Sequence, residues 1–176
     1  PTVEFVVEKT PDSCGAIITA SHNPQEYNGI KMLNHTGTFL DESDFAALLR
    51  LHAHPSRKRP SHPGTVWRNP SVFDAYAQAL YDLVNTRVIR KRKFRVVVDP
   101  CNGVGAVYSR RFLEGLGCEV VMINDSPLGV FAHHPEPNAA HLTDLLRTVP
   151  AAGADIGFAQ DPDGDRLVMV DECGAA

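Results

Sequence analysis

The fold is decided by the stretch Ile156-Gly157-Phe158-Ala159-Gln160-Asp161-Pro162-Asp163-Gly164-Asp165-Arg166-Leu167-Val168-Met169-Val170. Its two short apolar runs, 156–159 and 167–170, are typical of β-strands. The polar turn between them holds three alternate aspartates and an arginine. Carboxylate oxygens are the ligands that a hard divalent cation prefers. The stretch therefore predicts a metal-binding loop between two strands.

Apolar runs alternate with helical patterns on the N-terminal side of this stretch. Further strands are predicted at 94–98 and 120–123, and helices at 71–85, 141–149 and from Asn102, a candidate cap, to Gly115 or Gly117. Such alternation implies a mainly parallel sheet covered on both faces, with ligands bound at the carboxyl ends of its strands. The aspartates lie at such a strand end.

The first third of the chain shows a different pattern. Strands are predicted at 3–7, 16–19 and 30–33. A helix is predicted at 41–52, with Asp41 or Ser43 as its cap, and we expect it to pack on those strands. Residues 53–64 have no apolar periodicity and are rich in Pro, His, Ser, Arg and Lys, which indicates a linker and a domain boundary near residue 66.

A second polar turn follows the predicted strand at 16–19. The stretch Ala16-Ile17-Ile18-Thr19-Ala20-Ser21-His22-Asn23-Pro24 ends in a crowd of polar groups, and Lys31 follows after Asn28-Gly29. A lone serine after a strand is ordinarily a turn or cap residue. A hydroxyl that carries a phosphoryl group, however, needs a divalent cation and positive side chains beside it. Together, the two turns predict a phosphoryl-transfer site.

The same residues resemble a known family. Residues 19–31 closely resemble the active-site loop of the α-D-phosphohexomutases (phosphomannomutase, phosphoglucomutase and phosphoglucosamine mutase), and residues 161–166 resemble their metal loop. Those enzymes have four domains, whereas 176 residues are too few for more than about two. The resemblance implies an incomplete first domain at 1–66 and the second domain at 67–176. It also implies α/β architecture, with two three-layer α/β/α domains and mainly parallel mixed sheets.

The resemblance implies a reversible shift of phosphate between O1 and O6 of a phosphorylated hexose. In that interpretation Ser21 carries the phosphate, His22 and Lys31 act on the transferring group and bind substrate, and Arg166 binds phosphate. The cofactor is Mg²⁺, and a bisphosphorylated hexose is the activator. The implied partners include the C-terminal domains of the full-length chain, which supply sugar and phosphate recognition. The implied metal ligands are Ser21, Asp161, Asp163 and Asp165.

Other interpretations of the aspartate loop remain open. As an EF-hand it would need glycine at position six, where Arg166 stands, and a helix instead of the strand predicted at 167–170. It is also compatible with a solvated acidic turn without metal. A third possibility is that Asp161 is the nucleophile of an aspartyl phosphotransferase, although this leaves residues 21–31 unexplained. A fourth is a non-catalytic module that binds metal or phosphate and was left by truncation.

Three further motifs have structural interpretations. The run Asn102-Gly103-Val104-Gly105 lacks the third glycine of a dinucleotide loop, so a tight strand-to-helix turn is favoured. The basic run 90–93 is typical of a solvated helix end, and no interleaved aromatic residues indicate nucleic-acid binding. His133-His134 lies in a proline-rich connection similar to one in the family, and adjacent histidines do not easily face one ion.

Composition adds class-level limits. The chain has 43% hydrophobic and 22% charged residues and a formal net charge of -4, which is ordinary for globular protein. Its four cysteines form no Cys-x-x-Cys pair, so neither a zinc site nor a disulfide framework is indicated and a cytoplasmic location is expected. No apolar run approaches the ~20 residues of a membrane span. Because the chain begins with Pro1, we expect the natural N-terminus to lie upstream.

Overall fold

The computed structural model describes residues 1–55, 62 and 64–176. Most of the predicted linker, residues 56–61 and 63, lies outside the described residues. The elements in chain order are α1 (Thr2–Lys9), β1 (Gly15–Ile18), β2 (Ile30–Leu33), α2 (Glu42–Ala53), α3 (Val72–Asp82), α4 (Thr86–Arg92), β3 (Arg95–Asp99), α5 (Gly105–Gly115), β4 (Glu119–Met122), a 3-10 helix (Ala139–His141), α6 (Thr143–Ala151), β5 (Ile156–Gln160) and β6 (Leu167–Asp171).

Contacts divide the chain into two compact units. Unit 1 comprises Pro1–Ile17 and Ile30–Tyr76, and unit 2 comprises Ile18–Gly29 and Ala77–Ala176. The loop that contains Ser21 therefore belongs to the same unit as the aspartate loop. The domain boundary near residue 66 stays a prediction. Within the described residues, no helix combines the length and the apolar character needed to cross a bilayer.

The strands predicted at 16–19 and 30–33 are present as β1 and β2, and they pair in a two-stranded sheet. The strand predicted at 3–7 is wrong, because these residues lie in helix α1. The residues Val3 and Val7 are four apart and both face Gly15, where an added Cβ would lie 3.1 Å from a methyl carbon of each. This i, i+4 contact on one helix face outweighs the strand propensity of the β-branched residues.

Helix α2 begins where the sequence predicts. The Asp41 side chain caps it by accepting a hydrogen bond from the Asp44 backbone N–H at 2.8 Å. None of its residues is fully buried, and its packing on the strands stays a prediction. Phe45 and Leu49 on its apolar face are 50% and 52% exposed.

Unit 2 is built on a four-stranded sheet of order β4-β3-β5-β6. Strand β3 is parallel to β4 and β5, whereas β6 is antiparallel to β5, so the sheet is mixed as predicted. Helix α6 packs on β3, β5 and β6, and α5 packs on β3 and β4. The core between α6 and the sheet contains the fully buried side chains of Val97, Leu142, Leu145, Val149, Ala159 and Val170.

The parallel register brings two buried aspartates to one edge of this sheet. Asp99 ends β3 and is the register partner of Ala159, two residues before Asp161. Both Asp99 and Asp161 are 0% exposed. A buried carboxylate is tolerated only where hydrogen bonds or opposite charge compensate for lost hydration, so their partners determine the local structure.

The Asp99 carboxylate is fully engaged. It accepts hydrogen bonds from the Cys101 N–H at 3.0 Å and the Asn124 side-chain amide at 2.9 Å, and its Oδ2 lies 3.1 Å from His133 Nε2. His133 Nδ1 lies 2.9 Å from the His134 carbonyl oxygen, so an acceptor faces each ring nitrogen. The hydrogen bond to Asp99 is the main cause that raises the pKa of His133 to about 10.

The turn after β3 differs from its predicted form at Asn102. This residue has a φ of 59° and does not cap α5, whose N-cap is Val104. Its side chain instead spans the loop after β4, accepting from the Ser126 N–H at 2.9 Å and donating to the Val130 carbonyl at 2.8 Å. The loops after β3 and β4 are thereby held together by Asp99 and Asn102.

The His133–Asp99 pair predicts a pH-dependent stability. The folded-state pKa of His133 is about 10, above the unfolded value of 6.5, so its stabilisation is complete below pH 6.5 and is lost as the pH rises through 10. We expect the urea-unfolding free energy of the wild type to fall between these pH values. In His133→Gln this fall should be strongly reduced, and stability at pH 6.5 should drop by about 3 kcal/mol, as for a broken buried pair.

The matched control is His35→Gln, which changes an exposed histidine in a turn of unit 1. It should leave both the stability and its pH dependence unchanged. An equal pH dependence in wild type and His133→Gln would show that this pair is not the proton-linked group.

Candidate active site

The loop that contains Ser21 leaves β1 and returns to β2. The Thr19 N–H donates to the Gly29 carbonyl at 3.0 Å and closes residues 19–29 into one loop. Within it, the Ser21 N–H donates to Thr19 Oγ1 at 2.8 Å, and Ser21 has a φ of 53°. A left-handed conformation is uncommon and strained for a residue other than glycine, and such strain concentrates at functional sites.

The aspartate loop is a tight turn between β5 and β6. The Gly164 N–H donates to the Asp161 carbonyl at 3.0 Å, and Gly164 has a φ of 74°, which glycine adopts without strain. The Arg166 N–H donates to Asp161 Oδ1 at 3.1 Å. Because a strand follows the loop where an EF-hand requires a helix, the EF-hand interpretation is excluded.

The glycine-rich turn after β3 supports this loop from below. A Cβ at Gly103 would lie 2.5 Å from Pro162 Cα, so only glycine lets the two backbones approach. The next residue, Val104, donates its N–H to the Pro162 carbonyl at 2.8 Å. The turn thus packs against protein backbone, which agrees with the structural interpretation of this motif.

The two loops meet, as predicted. Ser21 Oγ donates to Asp161 Oδ2 at 3.3 Å, across 140 residues of sequence. Thr19 Oγ1 donates to Asp163 Oδ2 at 2.9 Å, so a second hydroxyl joins the loops. His22 Nδ1 lies 3.4 Å from Ser21 Oγ. No role for Thr19 was predicted from the sequence, although it lies in the stretch 19–31 that resembles the family's active-site loop.

The three aspartates form a compact acidic cluster. Each of Asp161, Asp163 and Asp165 offers an oxygen, and these atoms lie within 4.8 Å of one another. The pKa of Asp161 is raised to about 6, chiefly by burial and further by the charges of Asp163 and Asp165, while the Arg166 N–H partly offsets the shift. An all-oxygen donor set with excess negative charge fits Mg²⁺, which would relieve this repulsion.

The two cationic residues predicted for the site, Arg166 and Lys31, belong to different units of the chain. Arg166 follows the aspartate loop, and its Nη1 lies 3.8 Å from Glu136 Oε1. Lys31 lies on β2 in unit 1. The roles predicted for Arg166, Lys31 and His22 stay predictions. The sequence analysis did not identify Glu136, because it is an isolated acidic residue in a proline-rich connection.

Known proteins are similar to both parts of this chain. Residues 74–174 match the family model for phosphoglucomutase/phosphomannomutase alpha/beta/alpha domain II, and residues 1–56 match that for domain I. The chain is 39% identical over 177 residues to a Thermococcus kodakarensis phosphoglucomutase/phosphomannomutase, covering 99% of this chain and 39% of the relative. It is 36% identical to a Methanobrevibacter smithii protein named probable phosphoglucosamine mutase, with the same coverage.

A solved structure has the same fold. The phosphoglucomutase/phosphomannomutase family protein of Burkholderia thailandensis matches 92% of this chain and 34% of its own, with a TM-score of 0.71 and 30% sequence identity. The chain thus spans about two fifths of the length of the curated relatives it matches. With both domain models matched in order, the chain belongs to the phosphoglucomutase/phosphomannomutase family.

Proposed function

We propose that the chain is part of a phosphohexomutase, an isomerase that interconverts hexose 1-phosphate and hexose 6-phosphate through phosphorylated Ser21. The observation that supports this most directly is the 3.3 Å hydrogen bond between Ser21 Oγ and Asp161. In the proposal, the Ser21 hydroxyl in this hydrogen bond is the nucleophile, and the acidic cluster beside it is suited to a hard cation. Family membership supports the same reaction class.

The proposed metal site consists of Asp161, Asp163 and Asp165 with the oxygen of Ser21 or its phosphate. When bound there, Mg²⁺ would neutralise charge that develops on the transferring phosphoryl group. Thr19 fixes both loops, since its hydroxyl accepts from the Ser21 N–H and donates to Asp163. The chain therefore positions the serine before any substrate binds.

Two half-reactions account for the isomerisation. A hydroxyl of the hexose monophosphate attacks the phosphorus of phospho-Ser21, and the bond between phosphorus and Ser21 Oγ breaks with its electron pair left on Oγ. Oγ takes up the proton that the attacking hydroxyl loses. In the second step Ser21 Oγ loses this proton and attacks the other phosphorus of the bisphosphorylated hexose. The bond from that phosphorus to the sugar oxygen then breaks, and the sugar oxygen keeps the electron pair and takes up the proton. His22 Nδ1, 3.4 Å from Oγ, is placed to hold the serine proton between the steps. Lys31 and Arg166 are proposed to bind the phosphate oxygens.

Attack by Asp161 itself is disfavoured by its surroundings. Asp161 is 0% exposed, its Oδ1 accepts from the Arg166 N–H, and its Oδ2 accepts from Ser21 Oγ. A nucleophile needs access to phosphorus, which Ser21 has to a greater degree as a partly exposed residue. The identity of the hexose remains open among glucose, mannose and glucosamine phosphates, and a cytoplasmic location stays an expectation from the cysteine pattern.

The first prediction concerns the covalent phosphate. The chain incubated with glucose 1,6-bisphosphate and Mg²⁺ should gain about 80 Da, the mass of one phosphoryl group, on Ser21. Intact-mass and peptide mass spectrometry measure this directly. Ser21→Ala should remain unmodified, whereas the control Ser71→Ala, at an exposed serine of unit 1, should be modified like the wild type. A phosphoryl group on any other residue, or none at all, would contradict the proposal.

The second prediction concerns turnover. Because the chain spans only 39% of its relatives' length, we expect Ser21 to be phosphorylated without appreciable mutase activity. The measurement is a coupled assay with glucose 1-phosphate or mannose 1-phosphate at saturating Mg²⁺. Turnover comparable to that of a full-length relative, assayed in parallel, would show that residues 1–176 suffice.

The third prediction concerns the support under the metal loop. Gly103→Ala would force a Cβ against Pro162 and displace the aspartates, so Mn²⁺ binding measured by electron paramagnetic resonance should weaken about tenfold or more. Gly64→Ala is the matched control, since a Cβ there meets nothing within 4 Å. Unchanged binding in a folded Gly103→Ala protein would show that the turn does not position the aspartates.

A further inference from the structure

Glu136 lies in a loop whose backbone is held by several hydrogen bonds. Its backbone N–H donates to His134 Nδ1 at 3.3 Å, and its carbonyl accepts from His141 Nδ1 at 2.9 Å and from the Asn138 N–H at 3.0 Å. The rings of His134 and His141 pack together, with centroids 4.2 Å apart. Two histidine side chains thus hold both peptide groups of one glutamate.

The same loop is anchored at its start and along its length. His133 binds the buried Asp99 at 3.1 Å, and Pro135 and Pro137 on either side of Glu136 are both buried. Proline restricts φ, so the backbone on each side of Glu136 has little freedom. Only the glutamate side chain, 45% exposed, extends from this fixed frame.

The side chain of Glu136 meets Arg166. Its Oε1 lies 3.8 Å from Arg166 Nη1, and the arginine side chain is 44% exposed. An ion pair this exposed adds little stability, because water screens it and two long side chains lose freedom. The ion pair does, however, determine where the Arg166 guanidinium lies. The backbone N–H of Arg166 meanwhile donates to Asp161.

We propose that Glu136 is a positioning residue that holds Arg166 while Ser21 is unphosphorylated and gives it up to the phosphate of phospho-Ser21. The inference rests on the proposed function, since it requires phosphate on Ser21. A phosphate dianion carries more charge than a carboxylate and accepts from the planar guanidinium fork through several oxygens. The fixed loop keeps Glu136 in place, so the arginine is the group that moves.

Competition has a definite consequence. A phosphate that recruits Arg166 must first displace Glu136, and this cost is the same for every anion. Only an anion whose attraction for the guanidinium exceeds the cost, such as the dianion at Ser21, takes Arg166 from Glu136. When Ser21 loses its phosphate, the arginine returns to a defined position instead of sampling many rotamers. Both the charge of Glu136 and the length of its side chain are required, and Glu136→Asp changes the length alone.

The test follows the Arg166 side chain by NMR in two forms of the chain. One form has Ser21, and the other has phosphoserine installed at position 21 by genetic encoding, so no enzymatic transfer is needed. The Arg166 Nε–Hε signal is assigned by its loss in Arg166→Lys. Glu136→Asp keeps the charge but shortens the side chain by one methylene, which breaks a contact that is already 3.8 Å long.

We expect Glu136→Asp to shift the Arg166 signal in the unphosphorylated chain and to lose most of that effect in the phospho-Ser21 chain. No shift in the unphosphorylated chain would overturn the holding role. An equal shift in both forms would overturn the competition. Glu114→Asp is the matched control, because it shortens in the same way a 53% exposed acid that lies 3.6 Å from Arg110, and it should leave the Arg166 signal unshifted.

These outcomes remain distinct from failure of the proposed function. If glucose 1,6-bisphosphate never phosphorylates Ser21, the mutase proposal fails, yet the encoded phosphoserine still reports whether Arg166 changes partner. If Ser21 is phosphorylated but the effect of Glu136→Asp on the Arg166 signal is the same with and without the phosphate, the mutase proposal stands and the proposed role of Glu136 fails.

Discussion

The structure of the site depends on one buried carboxylate that two distant loops share. Asp161 accepts from Ser21 Oγ on one oxygen and from the Arg166 N–H on the other, and it has no exposed surface. Burying a carboxylate is costly unless hydrogen bonds or a cation compensate. Burial is the main cause that raises the pKa of Asp161 to about 6, and the charges of Asp163 and Asp165 contribute to the rise, while the hydrogen bond from the Arg166 N–H opposes the shift. The loop is therefore built for a positive partner.

Around this carboxylate, the architecture explains why the parts converge. Parallel pairing of β3 with β5 brings the ends of both strands to one edge, so the turn at Gly103 lies under Pro162. The second buried aspartate, Asp99, is compensated in a different way, by His133 and two N–H donors. The carboxylate at the end of β3 is thus compensated by other groups of the protein, while the loop after β5 keeps an excess of negative charge.

The parts of this arrangement that follow from local pattern were predictable from the sequence. The strands on each side of Asp161–Arg166 are confirmed, because short apolar runs and turn residues specify them locally. The mixed sheet is also confirmed, but it was implied by the family resemblance and not by the local pattern. Helix α1 was mistaken for a strand because the spacing of Val3 and Val7 becomes informative only once Gly15 packs on it. Thr19 was not assigned a role, since its partner Asp163 lies 144 residues away in the sequence. Glu136 was not assigned one, since its partner Arg166 is also remote and no local motif marks it.

The left-handed backbone of Ser21 and the buried carboxylate of Asp161 are tolerated for the same physical reason. A left-handed serine and a buried acidic cluster are each unfavourable alone, and folding tolerates them because the surrounding contacts determine the loop positions. The Thr19 hydroxyl supplies such contacts on both sides, to the Ser21 N–H and to Asp163. A cation bound by the aspartates would offset part of the repulsion between their carboxylates, and a phosphate bound by Arg166 would further stabilise the loop positions. The contacts that determine the loop positions therefore also hold the serine and the aspartates in the arrangement that a cation and a phosphate would need.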